Sequence, residues 1–511
     1  MRPPGPRMAN IVFWALVITV GLAPLPLASN RPWAWGLLGV SVGIQLVAFS
    51  LAALFDRSLI QLEWRRYGAA LVAFAVLVVW FFVQQSTMTP DSWHNPLWRE
   101  ASGLLGTPLK GSIAIDPGAE RETILRLITY AGVFFLAIQL CRARARAKTA
   151  LWSLTIAGTI YAVYGLVMQL GHFDMVLWYE KWAYPGSLTS TFVNRNSFAA
   201  YCGLTLIATL ALLSHLSDKS LRHGVFSRFG LLHFVETATL GPYLLLVSAV
   251  VITTALLFTQ SRGGFGATFV GAIALALSLR LAGRQRRAAG RLPIFAVSLV
   301  IGAVILVSFS GSGLIGRVSD YAGNETGRGV IYALTLRAIG DHPLLGVGLG
   351  GFHDTFQMYR DDRLDFLVAT FDRAHNTYLE LALEIGLPAF CLMLAILIGI
   401  VAVCARGLLT RQRDFVYPAA GLGATALMAL HSVVDFSLQI PAIAVAYALL
   451  LGTAYAQSFP TRRGAEQEAG SAERGSLLSR IALLTRPGRR QIAHAGDAPR
   501  TRGTSGADRS S

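Results

Sequence analysis

The sequence predicts an all-α polytopic membrane protein with about twelve transmembrane helices, and three observations carry that prediction. Only 14% of the 511 residues are charged while 54% are hydrophobic, against about 25% charged in a soluble domain. Apolar runs of about 20 residues, long enough to cross the hydrocarbon core as helix, recur along the chain. Arginines gather in the short links between alternate runs, which is the asymmetry that orients membrane proteins. The mean hydropathy of +0.52 agrees.

In chain order the expected spans are 11–28, 33–54, 68–85, 123–141, 150–170, 196–215, 242–260, 264–280, 292–310, 376–404, 415–432 and 438–456. The first follows Arg2 and Arg7 and ends in PLPLASN, a pattern that also suits a cleaved signal peptide. A retained span is the better reading, because the arginine pattern downstream then closes. With the N-terminus in the cytoplasm, the first cytoplasmic link holds Arg57, Arg65 and Arg66, and the second Arg142, Arg144, Arg146 and Lys148. The third holds Lys219, Arg222 and Arg228, the fourth Arg280, Arg284, Arg286, Arg287 and Arg291, and the fifth Arg406, Arg411 and Arg413. These links are short and basic, as the positive-inside rule requires.

The chain then divides into five parts. Residues 1–149 hold spans one to four with an extracytoplasmic loop at 86–122, and residues 150–310 hold spans five to nine. A large periplasmic loop, 311–374, separates spans nine and ten, and 375–457 hold the last three spans. The tail, 458–511, is basic and rich in Arg, Gly, Ser and Ala, which predicts a largely disordered cytoplasmic segment with a short surface helix at LLSRIALL. No internal repeat is evident. A transporter built from two related halves would favour a long central cytoplasmic link, whereas the longest link here is extracytoplasmic.

The net charge of +16 would suggest nucleic acid in a soluble domain, but here the arginines set topology and nucleic acid is not an expected partner. Cys141, Cys202, Cys391 and Cys404 lie in or beside apolar runs and show neither metal spacing nor a disulfide framework. There is no HExxH, Walker loop, GxSxG or dinucleotide fingerprint, and no metal or other cofactor is expected.

Three polar constellations stand at the expected extracytoplasmic ends of spans. STFVNRNSFAAY puts Arg195 between Asn194 and Asn196 where span six begins, and FTQSRGGFGA puts Arg262 in a tight turn between spans seven and eight. FDRAHNTYLELALEIGLPAF puts His375 and Asn376 at the mouth of span ten, with Glu380 and Glu384 inside the apolar sequence that follows. Each also has a plain reading. Arginines at span ends snorkel to headgroups, Asn376 or Thr377 caps a helix, and TYLE fits a capping box. The coincidence on three connections facing one compartment favours function. Arginine's planar fork suits phosphate oxygens, and histidine suits a general base. HSVVDFSLQIPA adds His431 and Asp435, ionisable groups at a span end whose spacing of four puts them on one face if helix persists. Structural pairing and function are equally open for that pair.

Taken in order, TFVNRNSFA, SRGG after an apolar span, GVGLGGF, AHNTYLELALEIGLP and HSVVDFSLQIPA resemble the O-antigen ligase and O-antigen polymerase superfamily of bacterial envelope glycosyltransferases. These motifs run from about 190 to 445, roughly half the chain, and nothing diagnostic lies before 150 or in the tail. The resemblance implies a multi-pass protein of the bacterial inner membrane with its site facing the periplasm. It implies an undecaprenyl-pyrophosphate-linked glycan donor, membrane lipids as surroundings, and metal-independent transfer with inversion to a lipid A–core or polysaccharide acceptor. Two arginines would hold the pyrophosphate and a histidine would serve as base, roles that fall on Arg195, Arg262 and His375. Asn194, Asn196, Arg328, Asn376, His431 and Asp435 are candidate substrate contacts. Polymerases and protein-glycosylating members of the superfamily share the donor and differ in acceptor. A flippase for the same lipid-linked glycan is the competing class and needs no base.

Overall fold

The computed structural model describes residues 5–220, 240–284, 314–364, 372–411 and 413–460. The expected ninth span, the expected tail beyond 460 and part of the expected loop 311–374 lie outside them.

Helix follows hydrophobicity along the chain. α1 (Gly5–Leu22), α2 (Pro32–Phe55) and α3 (Trp64–Gln84) precede a short amphipathic α4 (Leu97–Leu105). α5 (Pro117–Leu140) and α6 (Arg144–Leu170) lead into a two-stranded hairpin, β1 (Met175–Val176) and β2 (Tyr179–Glu180). α7 (Arg195–Ser220), α8 (Leu240–Phe258), α9 (Arg262–Arg284), α10 (Leu314–Asp341) and α11 (Phe352–Tyr359) follow. α12 (Thr377–Thr410), α13 (Val416–Val434) and α14 (Pro441–Gln457) close the bundle. Starts are set by local chemistry. Proline occupies the first turn of α2, α5 and α14, where its missing N–H costs nothing. The Asp116 carboxylate caps α5 by accepting from the N–H groups of Gly118 and Ala119.

Among the described residues nine helices, α2, α3, α5 to α9, α12 and α13, are long and apolar enough to cross a membrane. α1 and α14, at the positions of the expected first and last spans, are shorter apolar helices. α14 is buried from end to end, packed against α5 and α13, and forms the axis of the bundle. The outer helices leave apolar side chains exposed, among them Leu37, Ile44, Val79 and Ile398, the surface that lipid would cover.

Two expected segments carry internal structure. Within residues 311–374, α10 alone takes 28 residues and packs on α12. The expected span 376–404 falls in one long helix with a break inside it. α12 breaks at Gly386, which adopts φ 76° and ψ 156°, with Pro388 just beyond. A methyl on Gly386 would sit 2.3 Å from the Leu344 carbonyl oxygen, so only glycine allows this approach. The backbone groups freed by the break are taken up by the glycine loop 346–351: the N–H groups of Val347 and Gly348 donate to the Glu384 carbonyl at 3.2 and 2.9 Å. Gln84 and Trp80 of α3 donate to the Glu384 and Ile385 carbonyls. Thr377 to Ile385 is thus a separate buried segment. The lipid-exposed helix starts near Leu387 and runs to Thr410, roughly 35 Å at ~1.5 Å per residue. Glu380 and Glu384 precede that run, which explains two carboxylates in apolar sequence.

Candidate functional site

Three helices begin near one another, and each begins at a motif singled out above. α7 starts at Arg195, with the Asn194 carboxamide oxygen accepting from the N–H groups of Asn196 at 2.7 Å and Ser197 at 3.4 Å. α9 starts at Arg262, and the Ser261 hydroxyl accepts from the Gly264 N–H at 3.1 Å while donating to Asn196 Oδ1 at 2.8 Å. That last bond ties the two arginine-bearing turns together. A methyl on Gly264 would lie 2.4 Å from the Ala199 methyl, so glycine sets how closely α9 approaches α7. Unsatisfied N–H groups and the helix dipole make such starts favourable for anions.

Arg195 is held beside the hairpin loop. Its Nη1 donates to Ser187 Oγ at 3.2 Å, its guanidinium carbon lies 5.4 Å over the Tyr184 ring, and its Nε is buried with no partner among the described residues. Tyr184 gathers the site. Burial pushes its phenol up, Asp435 pushes the same way, and Arg195 and Arg328 oppose both. Tyr332 of α10 stands between Arg328 and Asp435 in the same sense: burial raises its phenol, Arg328 lowers it and Asp435 raises it.

His375 precedes α12, which Asn376 caps by accepting from the N–H groups of Tyr378 and Leu379. Asn376 is therefore the cap, and the capping box expected of Thr377 and Glu380 does not form. The Thr377 hydroxyl instead donates to the Asp435 carbonyl at 3.0 Å, and the Tyr332 hydroxyl donates to the His375 carbonyl at 3.0 Å. Held this way, His375 adopts φ 53°, a left-handed conformation rare outside glycine and asparagine. Its ring packs against Phe436 and turns Nδ1 inward, 3.5 Å from Asp435 Oδ1, at the long edge of hydrogen bonding. The side chain stays 27% exposed; neither Nδ1 nor Asp435 Oδ1 has a hydrogen-bond partner among the described residues, so their contact is a close charge-pair approach that leaves Nε2 as the other ring nitrogen.

Asp435 is 1% exposed and follows the end of α13 in extended backbone. Helix does not persist through it, so the face shared with His431 that the spacing suggested is not formed. Burial alone would push the Asp435 carboxyl up. The nearby His375 imidazole, the His431 ring and the Phe436 N–H outweigh that and hold it below the usual carboxylate range. His431 is buried with both ring nitrogens unpartnered among the described residues.

Glu380 lies fully buried, pairs with Arg373 at 3.0 Å and accepts from the Ala374 N–H at 3.0 Å. It shapes the turn that presents His375 without touching the ring. Glu384 accepts from the Phe352 N–H at 3.3 Å and serves the glycine loop. The structure therefore brings together Arg195, Arg262, His375, Asn376, Asp435, Asn194 and Asn196. A methyl on Gly263, next to Arg262, would meet Val434, next to Asp435, at 3.0 Å. Sequence reasoning missed Tyr184, Tyr332, Ser187 and Arg373. The aromatic density and the Pro-Gly turn of WAYPG were the available signal for Tyr184; Tyr332 and Arg373 carry none.

Fold and site together define a multi-pass helical membrane protein with two arginines at paired helix starts and a histidine on a buried carboxylate. Residues 247–394, under a third of the chain, match the family model described as O-Antigen ligase, and that segment is similar to the O-antigen ligase domain. The matched segment contains Arg262, Arg328, His375 and Asn376, whereas Arg195, His431 and Asp435 lie outside it. No curated protein matches the chain.

Proposed function

We propose that this O-antigen ligase-type membrane enzyme transfers a glycan from an undecaprenyl-pyrophosphate-linked donor to an acceptor hydroxyl at the periplasmic face of the inner membrane. The observation that carries the reading is the pairing of His375 with Asp435 beside the arginine-bearing helix starts. With Nδ1–H directed at Asp435, Nε2 carries the free lone pair and takes the proton of the acceptor hydroxyl. The hydroxyl oxygen attacks the anomeric carbon from the face opposite the pyrophosphate, the bond from that carbon to the phosphate oxygen breaks, and the configuration inverts. Arg195, Arg262 and the N–H groups at the starts of α7 and α9 receive the charge that develops on the departing pyrophosphate. Asp435 steadies the imidazolium that results. Positive charge from two arginines supports a reaction without metal.

Lipid A–core is the acceptor we favour, with a second lipid-linked repeat unit as the alternative. Purified protein is incubated with lipid-linked repeat units and each acceptor, with and without EDTA, and products are read by mass. Glycan on lipid A–core with EDTA present is the expected result. Elongated lipid-linked glycan would reassign the enzyme as a polymerase, and glycosylated protein as a protein glycosyltransferase. Movement of unaltered donor across a vesicle membrane with no new bond would make it a flippase. Activity lost to EDTA and restored by a divalent ion would sink the arginine-only mechanism.

A further inference from the structure

A cavity of about 340 Å³ opens beside the hairpin, lined by Leu27, Arg31, Trp33, Tyr179 and Trp182. Its walls are unusual for a surface recess. The Arg31 guanidinium lies 5.7 Å over the Trp182 ring, and Trp182 stands edge-on to Tyr179, which in turn packs on Trp178. The hairpin that carries these rings is fixed rather than trailing: Met175 pairs with Glu180 and Val176 with Tyr179, and the Tyr164 hydroxyl of α6 accepts from the Leu177 N–H at 2.8 Å. The hairpin also runs straight into the site described above. Lys181 Nζ donates to the Ser187 carbonyl, while Ser187 Oγ accepts from Arg195, and Tyr184 between them lies under the same guanidinium. The Gly186 carbonyl accepts from Gln260 at 3.4 Å, which joins the hairpin loop to the turn before Arg262.

We propose that this aromatic cavity is a saccharide subsite that holds the glycan of the donor, away from the reacting carbon. The proposal rests on the transferase reading above for the direction in which the glycan lies. Pyranose rings present C–H faces that pack flat on indole and phenol rings, and their hydroxyls need polar partners at the rim. The cavity offers both, with Trp33, Tyr179 and Trp182 as faces and Arg31 as donor, and Lys181 and Glu180 close in sequence. The stacked guanidinium stiffens the Trp182 face, which a ring floating in the headgroup layer would not need. Tryptophan and tyrosine also anchor membrane proteins at the interface, and the experiment separates the two roles.

The variants are Trp182→Ala, Trp33→Ala and Trp182→Phe, in full-length protein in detergent. Trp182 is 51% exposed, so its loss leaves the packing of the bundle intact. The first readout is calorimetric binding of oligosaccharides released by mild acid from the lipid-linked glycans of the producing cells. Wild type binds them, each alanine variant binds about 2- to 12-fold more weakly, and Trp182→Phe retains most of the affinity. The second is transfer from donors carrying one sugar or several repeat units. Trp182→Ala raises KM for the long donor by a similar factor and leaves the one-sugar donor and kcat unchanged. Absence of binding by wild type, unchanged binding in Trp182→Ala, or an equal effect on both donors overturns the proposal, the last assigning the rings to interfacial anchoring. Binding without transfer to any acceptor would retain the subsite and sink the transferase reading, so the two fail separately.

Discussion

His375 occupies a strained backbone conformation that the Tyr332 hydroxyl, the Asn376 cap and the Thr377 bond to the Asp435 carbonyl hold in place. Strain of this kind costs about 1–3 kcal/mol and persists where the surroundings over-determine it. The ring can therefore be removed without loosening its turn. His375→Ala is expected to insert and bind the lipid-linked donor normally while single-turnover transfer falls about 10²- to 10⁴-fold. His375→Gln should fail alike, since an amide cannot take the proton. Near-normal turnover in His375→Ala would leave the histidine as a turn residue. Arg195→Ala and Arg262→Ala are expected to abolish transfer nearly completely, and lysine should rescue poorly because it lacks the bidentate fork. Wild-type rates in both alanine variants, at matched expression, would make these arginines topological anchors. Asp435 bears a pH prediction. Its folded pKa lies below the unfolded value of about 4, so ionised Asp435 contributes stability that is fully present above that value. The contribution is lost as pH falls through the depressed folded value. Thermal unfolding of wild type and Asp435→Asn should differ above the carboxylate range of about pH 4, and the two should converge in acid. A gap that widened in acid would reverse the assignment.

At the scale of elements, the break in α12 is what lets one stretch of sequence serve two purposes. Before Gly386 the segment is buried and carries Glu380 and Glu384; after it the helix is lipid-exposed and carries no charge until Arg406. Gly386→Ala meets the Leu344 carbonyl and adds about 1–2 kcal/mol of left-handed strain before any clash. The same helix offers its own control, because a methyl on Gly399 meets nothing within 4 Å. Gly399→Ala should therefore hold or raise the melting temperature, gaining up to about 1 kcal/mol of helix propensity, while Gly386→Ala lowers it and slows transfer. Equal melting temperatures for the two variants would show that the break is not required.

For the molecule as a whole, the arginine asymmetry sets an expected orientation in the membrane that labelling can test. Arg57, between α2 and α3, and Lys110, between α4 and α5, are both exposed, and an odd number of expected spans separates them. In a background without the native cysteines, Lys110→Cys should react with an impermeant maleimide on intact spheroplasts, and Arg57→Cys only after permeabilisation. The reverse pattern would invert the topology and move the candidate site to the cytoplasmic face. The expected positions of the termini, including the tail beyond 460, depend on the same test.

Apolar periodicity and arginine placement determined the helical membrane class and the approximate position of the described spans, because each span must satisfy its own backbone hydrogen bonds in lipid and so announces itself by composition alone. The same local logic exposed Arg195, Arg262 and His375, polar groups in places where polarity is costly. What the sequence could not settle are relations between distant segments. His375 and Asp435 lie on opposite sides of the α12–α13 hairpin, and their 3.5 Å approach comes from how those helices pack. Glu380 stood closer in sequence to His375 and yet turns to Arg373, because a buried carboxylate goes to the nearest cation and N–H rather than to a half-exposed ring. The break at Gly386 was likewise hidden. Its glycine reads as an ordinary turn residue until the loop 346–351 fills the gap from some 40 residues upstream, and only tertiary packing can supply those hydrogen bonds.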